Sequence, residues 1–211
     1  MNKNLLLFFV ISASFLLFSC WEKKTESPLS ELKDKAREMK NIGEKMKEAT
    51  ESFSEGKKVN PVDFRELKSL LPENLGSLKR TNIEGEKSSA MGINVSTANA
   101  DYSTSDGKQS ATIKITDLGS VTGFAAYGWY LADVDKETET GYEKTFTYKG
   151  NKGFEKYNNN DNYGEISILV AKRFVVETNG NNIQMDQLKS AVDIIDIGKL
   201  EGWKDFGVED K

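Results

Sequence analysis

The hydrophobic positions of this chain change period as it runs. Leu5 to Phe18 is an almost unbroken apolar stretch. From Leu29 the pattern becomes helical: Leu29, Leu32, Ala36, Met39, Gly43, Met46, Thr50 and Phe53 alternate spacings of three and four, which places them on one stripe of a helix surface. Beyond Asn60 comes one short helical stripe, and then the alternation that marks strands.

The long stripe predicts a charged helix from Pro28 to Glu55. Ser27 can cap its free N–H groups, Pro28 fits the first helical position, and Gly56 ends it. Its other faces are solvated, with 7 acids and 8 bases between Leu29 and Lys58, including an i, i+4 pair from Glu31 to Lys35. Gly43 and Thr50 interrupt the large apolar series that a coiled coil needs. Two readings therefore stand, a helix that lies on the domain or forms a stalk, and a partner-binding coiled coil. Standing free, it would reach about 40 Å.

In the body, Asn60-Pro61 repeats the cap-then-proline signal and opens a short helix that ends before Pro72, with Phe64, Leu67 and Leu71 on one face. Met91, Ile93, Val95 and Thr97 then alternate, and the phase slips to Ala98, Ala100 and Tyr102, predicting a bulge near Thr97. Asp106-Gly107 predicts a hairpin turn leading to Ala111, Ile113 and Ile115. From Gly119 to Val134 the period is helical, with Phe124, Tyr127, Leu131 and Val134 on one face; Gly119, Gly123 and Gly128 leave this helix dependent on packing. A second reading of the stretch has Tyr127, Trp129 and Tyr130 lining a ligand groove.

Asp133 to Gly141 is acidic and aperiodic, a connecting loop. Four strands are expected next, Tyr142 to Lys149, Gly153 to Tyr157, Tyr163 to Ala171 and Phe174 to Thr178, punctuated by Gly150-Asn151, the run Asn158 to Asn162, Lys172-Arg173 and Asn179-Gly180. A last helix around Asp186 to Asp196 puts Met185, Leu188, Val192 and Ile195 on one face, and Leu200, Trp203 and Phe206 are expected to pack back on the body. Together these elements predict an α+β fold: a mostly antiparallel sheet of about six to seven strands, packed with two or three helices and preceded by the long charged helix.

The first apolar run has the layout of a secretory signal, with Lys3 as basic region, Leu5 to Phe18 as apolar region and the small Ser19 before Cys20. Leu5 to Cys20 is 16 residues, shorter than the roughly 20 of a membrane span. Leu17 and Ser19, at minus three and minus one to Cys20, resemble a bacterial lipobox. That resemblance implies acylation of Cys20, which becomes the first residue and the lipid anchor. The expected organisation is a signal peptide over 1–19, an anchor, tether and spacer helix over 20–58, and an α+β globular domain over 59–211.

Composition narrows the chemistry. Without residues 1–19 the chain keeps 192 residues with 28 bases against 33 acids, a balance opposed to nucleic-acid binding. Cys20 is the sole cysteine, so the body has no disulfide. The chain has no histidine, which excludes serine-histidine and cysteine-histidine catalysis. An EF-hand register through Asn159, Asp161 and Tyr163 meets Val170 where a bidentate glutamate is required. One starting at Asp135, with Glu137 and Glu139 aligned, meets Thr140 at the glycine position and Phe146 at the glutamate position. No phosphate-binding glycine pattern occurs. No cofactor or metal is expected.

Several segments resemble a group of uncharacterised bacterial lipoproteins: Ser69-Leu70-Leu71-Pro72, Lys79-Arg80-Thr81 with Glu84-Gly85-Glu86, Ala90-Met91-Gly92, and Ala98 to Tyr102. So do the Ala171 to Val176 hairpin and Met185-Asp186-Gln187-Leu188. More distantly, the order of elements is similar to the Mog1/PsbP-like sandwiches, which implies fold alone. The expectation is a non-enzymatic binding or assembly module in the bacterial cell envelope, extracytoplasmic and held to the membrane through acyl chains on Cys20, with an envelope protein as partner. The other expectation is a carrier of a small apolar ligand in a cavity between sheet and helix.

Overall fold

A computed structural model of the chain describes Lys40 and residues 59–90, 93–119, 130 and 132–209. The expected signal peptide, Cys20 and the predicted helix from Pro28 to Glu55, Lys40 apart, lie outside the described residues.

The described chain is α+β, but its sheet is larger than expected. Nine strands form one antiparallel sheet in the order β1-β2-β3-β4-β9-β8-β7-β6-β5. They are β1 (Asn74–Leu75), β2 (Leu78–Ala90), β3 (Ile93–Ser103), β4 (Ser110–Asp117), β5 (Asp135–Thr138), β6 (Gly141–Tyr148), β7 (Asn151–Asn158), β8 (Tyr163–Val170) and β9 (Phe174–Asn181). Two meanders, β1 to β4 and β5 to β9, meet where β4 pairs with β9. Three short helices accompany them among the described residues: α1 (Phe64–Lys68), α2 (Met185–Ile194) and α3 (Ile197–Gly202).

This corrects the expectation of six to seven strands. The missed ones are β1, β2 and β5. β2 carries Ile83 as its one large apolar residue after Leu78, and most of its side chains are exposed, so no alternation betrays it. β5 was expected to be a loop; all four of its residues are exposed, and it is held by pairing with β6 alone. The predicted bulge near Thr97 is absent, since β3 and β4 pair without a break from Ser96 to Ser103. The register shift falls instead on β2, between Arg80 and Asn82. Asn179-Gly180, expected as a turn, lies within β9.

The glycine in that dipeptide serves packing. Gly180 and Gly164 are paired across β9 and β8. A Cβ at Gly164 would sit 2.6 Å from Leu188 Cδ1, and one at Gly180 2.7 Å from Ile183 Cγ2. These two positions let α2 approach the sheet.

Pairing carries side chains across the sheet in rows. One row on the helix-covered face runs Ile83, Ala100, Ile113, Thr178, Ile166, Glu155, Lys144, Asp135, through eight strands. Its central members are buried against Leu67, Leu188, Val192 and Leu200 of the three helices. Met185, Leu188, Val192 and Ile195 are all buried, as their spacing predicts. Leu200 is buried and Trp203 packs on Phe174 with ring centroids 6.5 Å apart, whereas Phe206 is 51% exposed and does not pack back. The opposite face of the sheet is mainly polar, with cross-strand ion pairs Lys114–Glu177 at 2.8 Å and Lys156–Glu143 at 3.1 Å.

One buried ion pair ties the chain's described ends to this sheet. Asp117, at the end of β4, is 0% exposed, and Arg173, in the turn just before β9, is 3% exposed. Arg173 Nε donates to Asp117 Oδ1 and Nη2 to Oδ2, each at 2.8 Å. Its Nη1 donates to the carbonyls of Trp203, Lys204 and Phe206 at 3.1, 3.1 and 2.7 Å. Asp117 also accepts from the backbone of Val62 and Gly119, both at 2.8 Å. The strand segment entering at Val59 and the turn after α3 are thereby fixed together, with Val59 bridging Val208 and Asn60 N–H donating to Gly207 O at 2.8 Å.

Removing one partner leaves a buried charge alone, which costs about 3–5 kcal/mol. Asp117→Asn is therefore expected to lower stability by about that amount in urea titration, and adding Arg173→Met should recover part of the loss. Additive losses would show that the two residues act separately. At the neighbouring turn, Ala171 and Lys172 both hold positive φ, 52° and 54°. Lys172→Gly relieves a left-handed penalty of about 1–2 kcal/mol and gives back about 0.4–1 in chain entropy, so a net gain of about 0.5–1 kcal/mol is expected from the same titration.

Candidate functional site

Of the residues expected to carry function, Cys20, Tyr127 and Trp129 lie outside the described residues. Tyr130 is described, half-buried, with Lys152 Nζ 6.0 Å from its ring centroid. Lys152 is paired with Leu169, and Leu169 with Val175, so it belongs to the face opposite the helices. Its ammonium group also donates to Ala132 O at 2.7 Å and to Asp133 Oδ1 at 2.9 Å. The structure thus sets Tyr130 beside the segment that leads into β5.

Two carboxylates can carry acid–base chemistry without histidine, and two buried acids stand in the described sheet. Asp117 and Glu155 stand on β4 and β7, separated by β9 and β8. The Asp117 carboxylate is occupied by Arg173 and two backbone N–H groups. Glu155 is 1% exposed, with Lys144 Nζ 3.1 Å from Oε1 and Lys189 Nζ 3.2 Å from Oε2. Lys189 comes from α2, so this ion triad fastens the helix to the outer half of the sheet. Tyr142 stacks on Tyr157 with centroids 6.4 Å apart; burial, and then the Glu155 carboxylate, push its phenol up to about 12. Tyr148 adds a second fastening by donating to Asp193 of α2. Every group here is engaged in holding the layer together.

On the open face, Glu165 and Glu177 are diagonal neighbours on β8 and β9. Burial raises the Glu165 carboxyl above its ordinary range, and the Glu177 charge raises it further, while Lys156 and Lys114 oppose both. Glu177 is held by Lys114 at 2.8 Å. Two acids with different environments can divide acid and base roles. Here Lys114 holds Glu177 at 2.8 Å and Lys156 holds the neighbouring Glu143 at 3.1 Å, which makes the acids rungs of a cross-strand charge ladder.

The remaining feature is an edge. β1 pairs with β2 only at Leu78 and Lys79, and beyond them the outer side of β2 has no strand partner among the described residues. Thr81, Asn82, Glu84, Glu86, Lys87, Ser88 and Ser89 are exposed. The last pair of β3 with β4 is Ser96 with Asp117, so the β2–β3 pairs Ser88–Val95, Ser89–Asn94 and Ala90–Ile93 lie past the end of β4. A shallow groove of about 220 Å³ lies along this arm, lined by Glu84, Gly85, Glu86, Thr97 and Asn99. Sequence reasoning missed it because β2 has no large apolar side chain past Ile83, and so shows no hydrophobic period. The available signals were weaker: Ala90-Met91-Gly92-Ile93 between two runs of equal polarity, and a stretch from Leu78 to Ala90 free of proline.

Comparison of the chain with family models, with curated proteins and with solved structures finds no match. Among the described residues no group of three or more acids or cysteines gathers as a metal site would require.

Glu165 makes a pH prediction. Its raised folded pKa means that the folded state keeps the proton longer than the unfolded chain, so its contribution is fully present below the unfolded value near 4.5 and is lost as pH rises through the folded pKa. Glu165→Gln is insensitive to pH at this position. The variant is expected to melt higher than the parent at pH 7 and to lose that advantage below pH 4.5. Parallel melting curves at both pH values would contradict it.

Proposed function

We propose that this chain is a lipid-anchored lipoprotein of the bacterial cell envelope whose folded body is a non-enzymatic binding or assembly module. The leader and its lipobox-like end at Cys20 support the anchor, and so does the resemblance of the body to uncharacterised bacterial lipoproteins. The observation that carries the binding role is the open edge of β2, which offers backbone donors and acceptors along an exposed arm. A sheet edge of this kind recognises a partner through the main chain and needs no catalytic group.

The competing reading, a carrier of a small apolar ligand between sheet and helices, finds less support. Among the described residues that layer is occupied by Leu67, Tyr102, Ile113, Ile166, Leu188 and Leu200, all buried. Close packing of this kind leaves a ligand no room without moving α2.

Two measurements test the proposal. Cys20→Ser is expected to abolish labelling with radioactive palmitate and to move the body out of the membrane fraction; retained labelling would refute the anchor. A photo-cross-linker at Ser88 in the full chain, in its own cells, is expected to trap one dominant envelope protein, while the same group at Lys199 on α3 traps little. Equal, diffuse trapping at both positions would remove the case for β2.

A further inference from the structure

The edge of β2 also carries information about what it accepts, resting on the reading just given. Arg80 turns its N–H outward to Glu73 O at 3.0 Å. The register shift between Arg80 and Asn82 exchanges the inward and outward sets, because one extra residue displaces the alternation by one. Past it, Asn82, Glu84, Glu86 and Ser88 bond toward β3, and the N–H and C=O groups of Ile83, Gly85, Lys87 and Ser89 point away from the sheet. That is four donors and four acceptors in register for another strand.

The side chains bordering this array are acidic on one face. Glu84 and Glu86 project from the open face with Asp101 behind them on β3. Asn99 donates to Glu84 Oε1 and Asn82 to Asp101 Oδ2, each at 3.4 Å, and neither Glu84 nor Glu86 meets a basic side chain among the described residues. A second copy of the chain is a poor occupant. Antiparallel pairing of two β2 strands about Gly85 would set Glu84 of each against Glu86 of the other, and like charges directly opposite are destabilising.

We propose that β2 accepts, as a tenth strand, an extended segment of a partner protein that carries lysine or arginine at alternate positions, with these cations lying against Glu84 and Glu86. The ladder of main-chain bonds supplies the affinity and the alternating charge supplies the choice of segment. The groove lined by Glu84, Gly85, Glu86, Thr97 and Asn99 receives the side chains of the added strand on the open face.

The test uses the full chain and a ten-residue peptide alternating lysine and threonine, with a glutamate-threonine peptide as control. Binding of the lysine peptide is expected to slow hydrogen exchange at Ile83, Gly85, Lys87 and Ser89. Glu84→Lys with Glu86→Lys should weaken the lysine peptide by about tenfold or more and strengthen the glutamate peptide. Lys87→Pro removes an outward donor without breaking the ladder to β3, and is expected to weaken binding by about tenfold while the melting temperature holds. Lysine-peptide binding that survives Lys87→Pro and leaves these amides unprotected would overturn strand addition in favour of diffuse charge attraction. Should the lysine peptide fail while the cross-linker at Ser88 still traps one envelope protein, the basic chemistry assigned to the segment is wrong and the binding module stands.

Discussion

The Asp117–Arg173 pair is the constraint on which the rest of the body depends. It sits where the two meanders join, since Asp117 ends β4 and Arg173 immediately precedes β9. From that point the guanidinium holds three carbonyls of the turn after α3, and the carboxylate holds the backbone of Val62 before α1. A bidentate pair whose guanidinium also donates to three carbonyls is an arrangement in which a buried charge is tolerated. Its geometric effect is to bring segments more than a hundred residues apart into one fixed corner, where Val59 and Val208 bridge.

With that corner fixed, the sheet divides its labour. The central strands β3, β4, β9 and β8 carry the buried apolar rows and receive α2 through the paired glycines Gly164 and Gly180. The outer half, β7 and β6, is tied to α2 by the Glu155 triad and by Tyr148 with Asp193. At the other margin, among the described residues, most of β2 has no outer strand, and its side chains away from the helices are exposed while Phe64 and Lys68 of α1 come over Gly85 on the other face. Both margins end in an unpaired strand among the described residues, but β5 is only four residues long beside strands tied to α2, whereas β2 leaves a run of about ten residues open.

Much of the core was legible in the sequence because burial imposes a period. Ala98, Ala100 and Tyr102, then Ala111, Ile113 and Ile115, then Met185, Leu188, Val192 and Ile195 are buried as their spacing demands. The turn at Gly107, with φ of 69°, follows from its residue type. The candidate site was not legible, for the opposite reason. β2 and β5 bury little, so polar composition made them look like loops, and only pairing with β3 and β6 makes them strands. Asn179-Gly180 misled in another way: a glycine signals close approach as readily as a turn, and here Leu188 and Ile183 decide which.

By itself the sequence determined the periods of the buried strands and of α2, the turns that need a left-handed residue, the lack of histidine, and an apolar run that ends at the one cysteine. These are local properties, set by residue type and by spacing along the chain. The tertiary structure alone decided the order of the strands, the meeting of Asp117 with Arg173, the engagement of Glu155 by two lysines, and the open margin at β2. Each of those depends on which residues are brought together across long separations, and an exposed edge is defined by the partner it does not have, which no local pattern records.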